Sequence, residues 1–357
     1  MIYYVISEDT LTDIGDAVRE KEGTEEKIPV RQLARRISRL DTSGENIALT
    51  ERTLSHLKNN ATKVAAYGFY MNNGLTQVTL PKALTVENHA FYDCGMLQIV
   101  DLESCETIGQ SAFSGCENLA SVTVPNLKEI VRSAFSGCKK AFFYIRFEEL
   151  PLIPSSAFKD CANLQAAICS SAAEIQADAF SGCSSLAEVE APLAEALGYN
   201  AFQNCSSLTT LLLPKVRTAN VAVFYGCTAL TYLDFTALQS LSTQAFYFCM
   251  ALEALVLRNT EAMVTLQNSS VFVQSSIAAG TGYIYVPKAL LETYKADSLW
   301  ISAVASTDQI RPLEDYTIDG TVTGMLDPDK VGGGAGQDGA SAVLGRAVLG
   351  KMILGKE

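Results

Sequence analysis

Phenylalanine returns along this chain at a fixed interval. It stands at positions 69, 91, 113, 135, 158, 180, 202, 224 and 246, and the spacing is 22 residues at every step but one, which is 23. Around each lies an edited copy of one stretch. Ala112-Phe113-Ser114-Gly115-Cys116-Glu117-Asn118-Leu119 and Ala179-Phe180-Ser181-Gly182-Cys183-Ser184-Ser185-Leu186 are nearly the same. A unit of this size cannot bury its own apolar side chains, whereas stacked units can. A period in the twenties therefore commits the chain to a solenoid that grows by adding turns.

The positions within a unit can be numbered from its phenylalanine. The third residue after it is cysteine at 94, 116, 138, 161, 183, 205, 227 and 249, and Asn72 in the first unit. The sixth is leucine at 75, 97, 119, 164, 186, 208, 230 and 252. The ninth and eleventh are usually apolar, as in Val78 and Leu80, Val122 and Val124, Leu211 and Leu213, Leu233 and Phe235, and Leu255 and Leu257. Alternation with period two predicts a short strand with one buried face. Pro81, Pro125, Pro192 and Pro214 close four of these strands. An apolar residue five before the next phenylalanine, such as Val86, Ile108, Ile175 or Leu197, is expected to pack the return limb. Nine parallel strands about 4.8 Å apart would make a ladder about 40 Å long. The expected fold is an α/β-type repeat solenoid of about nine 22-residue repeats, with parallel strands on one face, spanning 46–267.

This Ala-Phe-x-x-Cys-x-x-Leu pattern resembles the BspA-like class of leucine-rich repeats. The resemblance implies a curved stack with a parallel sheet on one face, and a role in adhesion or recognition. Members are often surface adhesins. The stretch Met1-Ile2-Tyr3-Tyr4-Val5-Ile6-Ser7-Glu8-Asp9 lacks the basic region and long apolar core of a signal peptide, so the expectation is synthesis in the host bacterial cytoplasm.

The ten cysteines suggest disulfides only until they are placed. Equivalent residues of adjacent turns lie about 4.8 Å apart with parallel Cβ vectors, whereas a disulfide wants converging Cβ atoms about 3.8 Å apart. A ladder of reduced, buried thiols follows, with cysteine acting as a small apolar filler. No CxxC or Cys/His cluster has metal-ligand spacing, so neither zinc nor another cofactor is expected.

The step from Phe135 to Phe158 carries one extra residue. Placing it at Lys139-Lys140 puts Phe142 in the leucine position and Ile145 and Phe147 in the strand core. Phe143, Tyr144, Arg146 and Glu148 then fall on the outward face, and an aromatic pair beside an arginine has the composition of a binding hot spot. The alternative is that Phe143 and Tyr144 pack against a neighbouring strand or a flanking module. On the same face lie Tyr232 and Asp234, Asp101 and Glu103, and Glu188 and Glu190. The candidate partner-binding residues are Phe143, Tyr144, Arg146, Glu148, Tyr232 and Asp234.

The ends differ from the array. Residues 1–45 read as two short helices, with Leu11, Ile14, Ala17 and Val18 on one and Leu33, Ala34, Ile37 and Leu40 on the other. They would cap the solenoid or dock it in an assembly. Leu11-Thr12-Asp13-Ile14-Gly15-Asp16-Ala17-Val18-Arg19-Glu20-Lys21-Glu22-Gly23-Thr24, with Ile28-Pro29 and Leu33-Ala34, resembles a helical segment at the start of many structural proteins of phages and prophages of Gram-positive gut bacteria. That resemblance implies a virion context.

In 268–316, Tyr283-Ile284-Tyr285-Val286-Pro287 reads as a last strand, Lys288 to Lys295 as a short helix, and Trp300, Ile301, Ile310 and Leu313 as apolar anchors. These landmarks resemble the terminal unit that follows such repeats in phage-type proteins, and a structural cap is expected. The tail, 317–357, has a glycine-rich linker around Gly332–Gly336. Three apolar copies follow: Ala342–Arg346, Ala347–Lys351 and Met352–Lys356. An apolar peptide of this kind calls for a docking site on a partner or on its own body.

Several function classes are disfavoured. A net charge of −12 opposes a phosphate backbone, so no nucleic acid is expected. No run of about 18 apolar residues predicts a membrane span. Only His56 and His89 exist, and neither lies in a catalytic arrangement. The expected function is a non-enzymatic phage or prophage virion protein, a tail or surface component. Its array would recognise a host surface protein or glycan, and it would bind other virion proteins through 1–45 and 340–357. The alternatives are a bacterial BspA-like surface adhesin and a purely structural virion scaffold. A homo-oligomer stays open, since no heptads argue for a trimer.

Overall fold

A computed structural model describes residues 61–141 and 144–316 of this protein. The expectations for 1–45, for the transition up to residue 60 including His56, for Phe142 and Phe143, and for the tail 317–357 lie outside the described residues. Tyr144 is described as backbone only.

Each turn contributes one strand to a principal ladder. The strands are Gln77–Thr79, Ile99–Asp101, Ser121–Thr123, Tyr144–Phe147, Ala166–Cys169, Glu188–Glu190, Thr210–Leu212, Tyr232–Phe235, Ala254–Leu257, Tyr283–Val286 and Ile310–Pro312. All pairings are parallel, and the register steps by one repeat: Val78 opposes Val100, which opposes Val122, and Ile145, Ala167, Val189 and Leu211 form another such row. The solenoid has about eleven turns. A second parallel ladder runs along the return limb, from Lys63–Val64 to Thr265–Leu266. Its inward residues are the apolar ones five before each phenylalanine: Val86, Ile108, Ile153 and Ile175 are all 0% exposed.

Between the ladders lies a single column of rings. Phe69, Phe91, Phe113, Phe135, Phe158, Phe180, Phe202, Phe224 and Phe246 stack nearly parallel, with centroids 5.0 to 5.7 Å apart. A tenth ring, Phe272, continues the column at 5.7 Å although it follows Phe246 after 26 residues and not 22. The column passes from turn to turn because the backbone does: Phe91 N–H donates to the Ala112 carbonyl at 2.7 Å, and Phe113 N–H to the Ala134 carbonyl at 2.8 Å.

Tight turns flank each phenylalanine, and they explain part of the repeat that packing does not. Two residues before and two after it the backbone adopts positive φ, as at Ser111 and Gly115, or Asp178 and Gly182. These are positions for glycine, asparagine and aspartate. At Gly115 (φ +77°) a Cβ would stand 1.9 Å from Asp93 Oδ1, whereas at Gly137, with the same φ, the nearest heavy atom is 3.6 Å away. Gly137→Ala therefore costs only the left-handed penalty, about 1–2 kcal/mol. Gly115→Ala should cost more, and the excess should vanish in an Asp93→Gly background. Urea midpoints of the four variants check this.

The irregular unit differs from the expectation in one respect. Ala141 occupies the leucine position: it is 0% exposed, and its N–H donates to the Cys138 carbonyl at 3.1 Å, as Leu119 does to Cys116. The extra residue falls after Ala141 and not at Lys139-Lys140, so Phe142 is not the leucine equivalent. An alanine suffices there, and the longer path to the strand still delivers Ile145 and Phe147 inward at 0% and 1% exposure. Both ladders are interrupted at this point. Ser121–Thr123 does not pair with Tyr144–Phe147, nor Glu129–Ile130 with Leu152–Ile153, beside the added residue; the principal ladder is broken once more between Thr210–Leu212 and Tyr232–Phe235, where the spacing is regular.

The C-terminal end is closed by two short helices, α1 (Leu291–Ala296) and α2 (Ser298–Ala303). The expected helix from Lys288 is a 3-10 turn, Lys288–Leu290, leading into α1. Asp297 caps α2 by accepting from Leu299 and Trp300 N–H. Trp300 covers Phe272, with ring centroids 6.0 Å apart. The Trp300 indole N–H donates to the Val264 carbonyl at 2.9 Å, and Val264 N–H donates to the Tyr294 hydroxyl at 2.8 Å. These side chains thus supply partners for backbone groups that a further turn would otherwise meet. Two expectations are corrected here. Ile301 is 45% exposed and anchors nothing. Tyr283–Val286 is not the last strand, since Ile310–Pro312 pairs with it.

Candidate partner-binding face

The cysteines, the most reactive side chains of the repeat, are occupied by the fold. All ten described cysteines are buried and free. In eight turns the thiol donates to the carbonyl of the preceding turn's phenylalanine, from Cys94 to Phe69 at 2.9 Å through Cys183 to Phe158 at 3.0 Å to Cys249 to Phe224 at 3.1 Å. The same carbonyls accept a backbone N–H within their own turn, as Phe158 does from Cys161.

Burial pushes Cys105 up to about 11 and Cys169 and Cys249 up to about 12. A thiol whose pKa is raised by folding contributes stability that is intact below its unfolded value of about 8.5 and is lost as pH climbs toward the folded value. The unfolding free energy from urea titrations should therefore hold steady up to about pH 8.5 and then fall, at about 1.4 kcal/mol per pH unit for each such thiol. A thiol reagent at pH 7 should label the repeat cysteines only after denaturant is added.

What remains for contact is the outward face of the principal ladder, where every second strand residue points away from the core. Arg146 and Glu148 lie there as expected, both exposed, and they pair with each other. Arg146 Nη2 is 2.8 Å and Nε 2.9 Å from Glu148 Oε1. Tyr144 opens the same strand. Glu188 and Glu190 sit side by side, and partial burial together with the charge of Glu190 holds the Glu188 carboxyl above its usual range.

Tyr232 and Asp234 are brought together with a residue not singled out from the sequence. The Tyr232 hydroxyl donates to Asp234 Oδ2 at 2.9 Å, and Arg258 grips the same carboxylate through Nε at 2.8 and 2.9 Å and Nη2 at 2.7 Å. Burial, and then the Asp234 charge, raise the Tyr232 pKa. Arg146/Glu148 and Tyr232/Asp234 belong to strands four turns apart and do not form one cluster.

A second cluster lies toward the C-terminal end. Register places Ala254 between Tyr232 and Tyr283, and Val256 between Asp234 and Tyr285. Arg311 stands opposite Tyr285, its guanidinium carbon 3.5 Å from the centre of the Tyr283 ring and 5.6 Å from that of Tyr316. Tyr285 meets Tyr316 edge-on at 5.3 Å. Tyr283-Ile284-Tyr285 was legible as an alternating strand. Arg311 and Tyr316 were not, because they reach the face through an eleventh strand that lies outside the 22-residue period. His89 stacks on Tyr67 at 5.0 Å, and its Nδ1 is buried with no hydrogen-bond partner among the described residues. Also among the described residues, no group of three or more His, Cys, Asp or Glu is placed to hold a metal ion, and no helix is long and apolar enough to cross a membrane.

A parallel stack of about eleven turns with one principal strand per turn and a leucine-bearing turn motif is a leucine-rich-repeat protein. The family model for the BspA type Leucine rich repeat region (6 copies) matches residues 48–165 and again 151–278, and the chain belongs to that family. No curated protein matches it. Among solved structures it is similar to a leucine rich cell surface protein from Faecalibacterium prausnitzii, at 17% identity and a TM-score of 0.43 over 70% of this chain and 83% of that one. It is also similar to a leucine-rich repeat protein from Bacteroides ovatus, at 19% and 0.34 over 70% and 87%. A third is the pneumococcal vaccine antigen PcpA, at 17% and 0.32 over 70% and 84%.

Proposed function

We propose that this protein is a non-enzymatic recognition component of a phage or prophage particle. Its repeat face contacts a protein or glycan on the host surface, and residues 1–45 and 340–357 attach it to other virion proteins. The observation that carries the recognition reading is the division of each turn. The repeated motif, with its phenylalanine, cysteine and leucine, is buried, and the variable residues are collected on one rigid sheet face. There they form ion pairs and a tyrosine–arginine cluster, the residue types that dominate binding energy at interfaces. The virion reading rests on the resemblance of the stretch from Leu11 to Ala34 to phage structural proteins. Membership of the BspA-type family fits a bacterial surface adhesin equally well.

The test has two arms. Antibody labelling of purified particles under the electron microscope should place the chain on the virion; labelling of intact cells with none on particles would favour the adhesin. The purified full chain should bind host cells, and Leu212→Asp together with Glu190→Arg, which alter the face centre, should weaken that binding. Binding unaffected by such face substitutions would remove the sheet as the recognition surface.

A further inference from the structure

We infer that the C-terminal end of the outward face, built around Arg311, is a subsite for a carboxylate side chain of an acidic protein segment. The inference rests on the reading of the sheet face as a recognition surface and adds the chemistry of the partner at one place on it.

The face distributes its charges unequally. Arg146 is neutralised by Glu148 and Arg258 by Asp234. The two carboxylates that follow Arg311 in the chain are already engaged. Glu314 Oε2 accepts the Lys288 N–H at 2.8 Å, and Asp315 pairs with Lys288 Nζ at 2.9 Å. Among the described residues, no carboxylate forms an ion pair with Arg311. Its charge is instead held by rings, with Tyr283 beneath it and Tyr316 beside it.

Such contacts fix the guanidinium and partly strip its water while supplying no counter-charge. One side of the guanidinium also meets the Tyr285 hydroxyl, where it opposes the rise that burial imposes on that tyrosine; its remaining N–H donors are left for a carboxylate to meet. Elsewhere the face repels such a ligand. Glu188 and Glu190 stand in adjacent rows, Asp101 and Glu103 lie further toward the other end, and the chain carries a net charge of −12. An acidic segment is therefore directed to one end of the ladder.

The tyrosines also favour a peptide over a sugar. One face of the Tyr283 ring is covered by the guanidinium, Tyr285 is 1% exposed, and the Tyr232 hydroxyl is committed to Asp234. An extended chain can lay an acidic side chain on Arg311 and run over Ala254 toward Tyr232.

The test uses the full chain and a fluorescein-labelled octapeptide of alternating glutamate and glycine, followed by fluorescence anisotropy at low salt. Binding should weaken about tenfold in Arg311→Gln, the scale of one charge-assisted pair. It should recover in part in Arg311→Lys, and it should be unchanged in Lys215→Gln, whose residue lies off the face. Thermal melts of each variant report whether the fold is retained. Absence of binding, or equal binding by Arg311→Gln, overturns the subsite. Binding of oligoguluronate in place of the peptide, lost in Arg311→Gln, overturns the protein partner in favour of an acidic glycan. If host-cell binding fails on Leu212→Asp but survives Arg311→Gln, the recognition face stands and the Arg311 subsite falls.

Discussion

Replacing Phe180 with alanine is expected to cost about 3–5 kcal/mol, the range for truncating a fully buried phenylalanine. The ring is 0% exposed and lies between Phe158 at 5.7 Å and Phe202 at 5.6 Å. Removing it opens a gap in the middle of a column that has no second layer to collapse from, since the ladders on either side are held by their own hydrogen bonds. Because stability in a stacked array is a sum of turn and interface terms, the loss should be local. Hydrogen exchange should rise most at the amides joining this turn to its neighbours, such as Phe180 N–H to the Ala201 carbonyl, and urea should populate a partly unfolded form. A change below about 1 kcal/mol would mean that the ring contributes little packing. Phe180→Leu, which keeps most of the volume, should cost clearly less than the alanine variant.

Trp300→Ala should match it in size, about 3–5 kcal/mol, for a different reason. Trp300 is 0% exposed and performs three tasks at the end of the stack. It covers Phe272, it packs against Tyr294 at 5.1 Å, and its indole N–H occupies the Val264 carbonyl. Its removal strips the apolar edge and leaves a buried acceptor without its partner. Trp300→Phe separates the terms. It restores most of the cover and loses the hydrogen bond, so it should cost about 1–3 kcal/mol. Hydrogen exchange should localise the damage to the turns after Phe246, with the turns around Phe113 unaffected. Uniform destabilisation along the chain would argue against an end cap.

The two variants differ in how far they could be foreseen. Phe180 was marked by its period alone, because a residue repeated every 22 positions has one structural environment in every turn. The cysteines were legible for the same reason. Spacing and Cβ geometry excluded bridging, and the structure added that the thiol at the repeat position in eight turns bonds the phenylalanine carbonyl one turn back. The irregular unit was legible in its strand, where Ile145 and Phe147 point inward, but not in its turn. Ala141 is a poor sequence marker for a leucine position, and two phenylalanines beside it drew the assignment. At the ends the period failed. Phe272 joins the column after 26 residues, and Ile310–Pro312 completes the principal ladder after an excursion through two helices.

The outward face divides along the same line. Tyr232 and Asp234 could be placed because they stand in a regular unit, and alternation assigns them outward. That Asp234 is gripped by Arg258, and that Arg311 is held by Tyr283 and Tyr316 without a carboxylate, depends on side chains from different turns meeting across strands. The sequence alone determined the solenoid, its parallel strands and its buried motif, since a repeat imposes the same burial on every copy. Only the tertiary structure decided which surface groups neutralise one another and which charge is left for a partner. Asp234 and Arg258 are 24 positions apart and Tyr283 and Arg311 28, so a period of 22 does not specify either contact.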